Sequence, residues 1–188
     1  MKKSKKIFFG WWIVLSASLQ NGLGGSIHWQ GFTVLFIPIS QTFGISSAQT
    51  SLLFALARAE NGLMGPFTGW LMDKFGPRPL AIGGTAMAGI GYIMLSRTGN
   101  YTQFLLIYVI VISIGATTSF MQTAFVVLNN WFIKQRGLVM SINSASFRLG
   151  SAILVPTFSY IVYAWGWQNA VLILGIFLLV FITPLGIF

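Results

Sequence analysis

Gly69-Trp70-Leu71-Met72-Asp73-Lys74-Phe75-Gly76-Pro77-Arg78 stands between two long apolar runs. Gly69 leaves room for a neighbouring helix, and Asp73 and Lys74 mark where the chain leaves an apolar medium. Gly76-Pro77 forces a tight turn, and Arg78 opens the next run with a positive charge. A short charged turn between two runs long enough to cross a bilayer reads as a helical hairpin in a membrane.

Composition extends that reading to the whole chain. The 188 residues are 55% hydrophobic and only 7% charged, with a mean hydropathy of +0.80. A soluble domain carries about 25% charged residues to wet its surface, so a soluble enzyme is excluded, and so is a disordered chain. Cysteine is absent, and one His with two acidic residues leaves almost no material for a metal site or a hydrolytic triad. No enzyme, cofactor or metal is therefore expected. The net charge of +9 is read first as a topology signal and not as a nucleic-acid surface.

Working outward, the pattern predicts an all-α integral membrane fold with six spans at about 10–37, 47–72, 79–95, 102–130, 137–163 and 168–188. Pro38 is expected to stop the first. Ser46 before Gln49, and Asn100 before Gln103, read as helix caps. Lys2, Lys3, Lys5, Lys6, Lys74, Arg78, Lys134 and Arg136 fall on one side and Arg97 alone on the other. The N-terminus is thus expected in the cytoplasm, with the chain in the cell (inner) membrane. Trp11, Trp12, Trp131, Trp165 and Trp167 lie near span ends and read as headgroup anchors. The Lys-rich start followed by Ser16-Ala17-Ser18 resembles a signal peptide, but the apolar run continues well past that point, which fits an uncleaved first span.

Small residues form stripes for close helix contact: Ala55, Gly62, Gly65 and Gly69 in span two, Gly84, Ala88 and Gly91 in span three, and Ser141, Ala145 and Ala152 in span five. Charges at membrane depth are the functional candidates. Arg58 and Arg148 are expected to attract an anionic substrate into a central cavity, with Glu60 carrying a proton or balancing charge. The competing reading is an interhelical Glu60–Arg148 pair that only fixes packing. Gln20, Asn21 and Gln122 are read as cavity-lining amides, and His28 shares a helix face with Gln20 and Gly24.

The opening stretch strongly resembles the Gly-x-Leu-x-Asp-Arg/Lys-x-Gly-x-Arg loop signature of the major facilitator superfamily, departing from many members at Pro77. Gly10-Trp11-Trp12-Ile13-Val14, Trp131-Phe132 before Arg136-Gly137-Leu138, and Gly166-Trp167-Gln168 resemble the monocarboxylate transporter and oxalate–formate antiporter branch, with Gln168 where Arg is usual. The resemblance implies the N-terminal half of a twelve-helix fold, built from two inverted three-helix repeats. It also implies a latch made of Gly69, Asp73, Lys74, Gly76 and Arg78, in which Asp73 and Arg78 gate against the other half and do not bind substrate. The expected function is secondary transport of a small organic anion by alternating access, with protons as a candidate coupling ion and lipid and the C-terminal half as partners. Transport of another small solute, or a stand-alone six-helix homodimer, stay open as alternatives.

Overall fold

The computed structural model describes residues 10–186, apart from the side chain of Met121. The basic N-terminal tail with Lys2, Lys3, Lys5 and Lys6, and the last two residues of the sixth predicted span, lie outside that range. The described residues are helical apart from short joins, with no strand among them.

Helix α1 (residues 10–43) joins Gly10–Gln20, a wide π-helical turn Asn21–Gly25, and Ser26–Phe43. It runs through Pro38 and ends at Gly44, which adopts the left-handed conformation (φ 62°). Proline removes one backbone donor, a loss that helices in membranes tolerate where nearby hydroxyls bond the backbone. Just beyond the proline, Ser40 and Thr42 donate to the carbonyls of Ile37 and Pro38, both at 2.8 Å.

Helix α2 (Ser47–Phe75) opens on a complete capping box between Ser46 and Gln49. Gly76 (φ 80°, ψ 166°) closes it, and Pro77 begins α3 (Pro77–Leu95) at the position where a missing N–H costs nothing. Helix α4 (Tyr101–Trp131) is capped by Asn100, which accepts from the Gln103 N–H at 2.8 Å. It contains a second wide turn, Ile107–Ser113, and bends at Phe120. The run Arg136–Leu185 is 50 residues long, about 75 Å at 1.5 Å per residue, against about 30 Å of hydrocarbon. Gly166 (φ 80°, ψ 159°) breaks it into α5 (residues 136–165) and α6 (residues 167–185).

Packing is carried by α1, α3, α4 and α6. On α3, Gly84 and Ala88 meet Gly115 of α4, and Gly89 meets Gly175 of α6; a Cβ on Gly175 would lie 2.7 Å from the Gly89 carbonyl oxygen. Gly22 of α1 sits against Ser146 and Gly150 of α5. Two expected seams are corrected. In α2, a Cβ on Gly62 or Gly69 would meet nothing within 4 Å, and of the three stripe glycines Gly65 alone comes near another helix, with Gln122 Nε2 3.8 Å from its Cβ position. In α5 the contact face is Ser146 and Gly150, one position round from Ser141, Ala145 and Ala152, which are exposed.

At one end of the bundle Trp167, 4% exposed, donates from Nε1 to Thr42 Oγ1 at 2.9 Å and packs edge-on to Phe104. This tryptophan pins the start of α6 to the end of α1 and is not a surface anchor. Trp12 and Trp165, at 56% and 63%, are exposed at their helix ends. The outer surface is apolar, with Leu63, Ile153 and Phe181 all exposed, and α4 and the 136–185 run both reach a mean hydropathy of 2.1 over a spanning window.

Candidate functional site

Polar side chains line three cavities among the described residues. The largest is a cavity of about 660 Å³ between α1, α4 and α5, lined by Asn21, Trp29, Gln30, Phe125, Asn143, Ser144, Phe147 and Arg148. Asn21 opens the π-helical turn, about 100° round the helix axis from Gln20, and the residues beyond the turn that line the cavity, Trp29 and Gln30, are re-phased by it. Asn143 is fully buried, yet neither its Nδ2 nor its Oδ1 has a hydrogen-bond partner, and Asn21 Oδ1 has none either. Leaving such a group unmade costs about 1–3 kcal/mol, so these amides are set up for a polar guest. Arg148 brings a fixed positive charge and a planar fork of donors that suits a carboxylate.

The second place is a pocket of about 10 Å³ lined by His28, Trp29, Phe54, Ala57, Arg58, Tyr108 and Ser113. His28 Nδ1 lies 3.0 Å from the Tyr92 hydroxyl, and its ring stacks on Tyr108 with centroids 6.3 Å apart. Glu60, on the same helix as Arg58, has both carboxylate oxygens buried and without a partner, so among the described residues no Glu60–Arg148 pair forms.

The third place is a cavity of about 90 Å³ at the end that carries the Gly76 turn, lined in part by Ser16, Gln20, Arg78, Thr123, Asn130 and Trp131. Gln20 donates from Nε2 to Thr85 Oγ1 at 3.1 Å, which satisfies its amide inside the bundle. Asp73 and Lys74 are exposed, and Lys74 Nζ sits 5.2 Å from the Trp70 ring centre. Gln122 is half-buried and faces Gly65 of α2.

Of the residues singled out from the sequence, the structure thus brings Asn21 and Arg148 to one cavity and His28 and Arg58 to another pocket. Gln20 and Gln122 stand apart from both. Sequence reasoning missed Trp29, Gln30, Phe125, Asn143, Ser144 and Phe147. A signal was present for Ser144, which lies one helical turn before Arg148 in an otherwise apolar run.

A chain of helices with an apolar exterior, polar cavities inside it and a Gly-Pro-Arg hairpin turn is an integral membrane protein of transporter type. The chain belongs to the Major Facilitator Superfamily, whose family profile matches residues 11–188. This is a family of transporters and not of enzymes. The chain is 26% identical to monocarboxylate transporter 13 of Bos taurus, over 89% of this chain and 39% of that protein. It is 30% identical to the probable sulfoacetate transporter SauU of Cupriavidus necator, over 73% of this chain and 32% of that protein. It is 34% identical to the fujikurins efflux protein of Gibberella fujikuroi, over 60% of this chain and 25% of that protein. The chain therefore spans between a quarter and two fifths of the length of these relatives.

Proposed function

We propose that this chain is the N-terminal six-helix half of a secondary transporter that moves a small organic anion by alternating access across the cell membrane. The observation that carries the reading is the 660 Å³ cavity, in which Arg148 supplies the positive charge and Asn143 an amide with neither of its polar atoms partnered. The two relatives whose names specify a monocarboxylate and a sulfoacetate agree with an anionic substrate.

A second six-helix half covers the open faces of α2 and α5, where Gly62 meets nothing and Ile153 and Tyr160 are 66% and 72% exposed. Gly76 and Gly166 share one backbone state at the α2–α3 and α5–α6 joins, which supports two three-helix repeats of inverted topology. The Gly76 end faces the cytoplasm, because Lys74, Arg78, Lys134 and Arg136 gather there. Gly69, Asp73, Lys74, Gly76 and Arg78 form the cytoplasmic latch, and Glu60 exchanges the coupling proton.

A second reading, export of a larger solute, is favoured by the fujikurins relative. The whole transporter in proteoliposomes separates the two. Uptake of labelled lactate, formate, oxalate and sulfoacetate is measured against a neutral solute, with and without a pH gradient. Saturable anion uptake that an acid exterior accelerates is the expected result. Uptake of none of the anions sinks the reading.

A further inference from the structure

The pocket at His28 has a purpose that the substrate cavity does not supply. Its volume, about 10 Å³, is the space one water molecule needs, and a buried water also needs two to four polar partners. The lining offers the Arg58 guanidinium of α2, the Ser113 hydroxyl and Tyr108 ring of α4, and the His28 imidazole of α1. Tyr92 of α3 takes Nδ1 of that imidazole, so Nε2 is the nitrogen left for the pocket. Glu60 stands two residues on from Arg58 on α2, near enough to Ser113 for the hydroxyl to bear on its carboxyl, and no hydrogen bond joins them. Both of those side chains are otherwise unpartnered.

We propose that Glu60, Ser113, one water in this pocket and the His28–Tyr92 pair form a buried relay that shares a single proton between α2 and α1. The Glu60 carboxyl donates its proton to Ser113 Oγ, Ser113 passes its own proton to the water, and the water passes one to His28 Nε2. The carboxyl becomes a carboxylate and the imidazole an imidazolium, and nothing else is consumed. Nδ1–H meanwhile donates to the Tyr92 oxygen. Arg58, the fixed charge at the pocket, stabilises the carboxylate and opposes the imidazolium, which holds the two ends in balance. Tyr92 and Tyr108 are the other titratable groups facing His28, and both enter as neutral phenols. Because the relay ties α2 to α1 and α4, its charge state reports on how α2 sits against them.

The relay rests on the transporter reading only for its use; its test needs no substrate. In the whole protein reconstituted in lipid, the Glu60 carboxyl band is isolated in the infrared as wild type minus Glu60→Gln. His28 charging is read from Trp29 emission, isolated with Trp29→Phe, since the His28 and Trp29 ring centres are 5.3 Å apart and an imidazolium quenches an adjacent indole. In the wild type the two signals should titrate together, with one midpoint. In Ser113→Ala they should separate by at least one pH unit, while Ser113→Thr, which keeps the hydroxyl, should leave them together. Separate midpoints in the wild type overturn the relay, and so do coincident midpoints in Ser113→Ala or a Trp29 signal unchanged in Glu60→Gln. Anion binding lost in Arg148→Gln while the coincidence persists would leave the relay standing, and the reverse outcome would leave the substrate site standing.

Discussion

Replacing Arg148 with Gln tests the substrate site most directly. The guanidinium is exposed on the wall of an open cavity of about 660 Å³, so the medium between it and a bound carboxylate is neither bulk water nor dry protein. Two unit charges 4 Å apart attract by about 1 kcal/mol in water and about 4 kcal/mol at an effective dielectric of 20. A charge-assisted hydrogen bond is worth about 1.5–3 kcal/mol, which falls inside that bracket. A loss of about 1.5–3 kcal/mol raises KM for the anion by roughly 10- to 150-fold. Arg148→Lys keeps the charge but loses the planar fork, and should fall between the two. Arg58→Gln lies at the other pocket and should change KM within about fivefold. The assay is initial-rate uptake by the whole transporter in proteoliposomes, with the expressed amount matched. An unchanged KM in Arg148→Gln, or an equal loss for a neutral solute, would refute the reasoning.

Four further perturbations probe the fold around that site. Gly166→Ala places a Cβ at φ 80° and ψ 159°, a region open to glycine almost alone, and should cost about 1–3 kcal/mol. Space is not the cause, since the nearest atom to that Cβ is Gln168 Oε1 at 3.7 Å. Gly62→Ala, in a regular helix with nothing within 4 Å, should stabilise α2 by about 0.5–1 kcal/mol in the isolated chain; thermal unfolding in detergent reads both. Asn143→Leu removes two buried unpartnered polar atoms and should keep or raise the unfolding temperature while anion uptake falls at least tenfold. Thr42→Val leaves the Trp167 indole N–H without its acceptor and should lower stability by about 1–3 kcal/mol, with Trp167→Phe losing no more than that.

The helical hairpins were legible because their signals are local. Ser46 with Gln49 and Asn100 with Gln103 cap their own helices through bonds that span three residues, and Gly76-Pro77 needs no partner to turn. What stayed hidden depends on helices far apart in sequence. Nothing about Gly62 or Gly69 says that they face open space while Gly84 and Gly89 carry the packing, because all four sit at comparable small-residue spacings. Trp167 sits at a span end as Trp165 does, yet Thr42 and Phe104 bury the first and nothing covers the second. The cavity was half legible for the same reason. Arg148 is conspicuous in any apolar run, whereas Asn143 matters only because its neighbours leave its amide unpaired.

The π-helical turns link these observations. A π turn accommodates one residue more than an α turn, and it shifts every later side chain round the helix axis. In α1, Gln20 just before the turn bonds Thr85 inside the bundle and Asn21 opens the turn into the large cavity, while Trp29 and Gln30 beyond it reach the same cavity. In α4 the turn at Ile107–Ser113 ends on Ser113, which reaches the small pocket beside Arg58. In the proposed pair of three-helix repeats, α1 and α4 are the first helices, and Gly76 and Gly166 join the second helix of each to the third. A third wide turn, Leu178–Ile182 in α6, carries only apolar side chains, whereas the turns in α1 and α4 each hold a polar group that reaches a pocket. Deletion of one residue between Asn21 and Gly25 restores a regular turn and rotates the later part of α1 relative to Asn21, so Trp29 and Gln30 should leave the cavity and anion binding should be lost even with Arg148 intact.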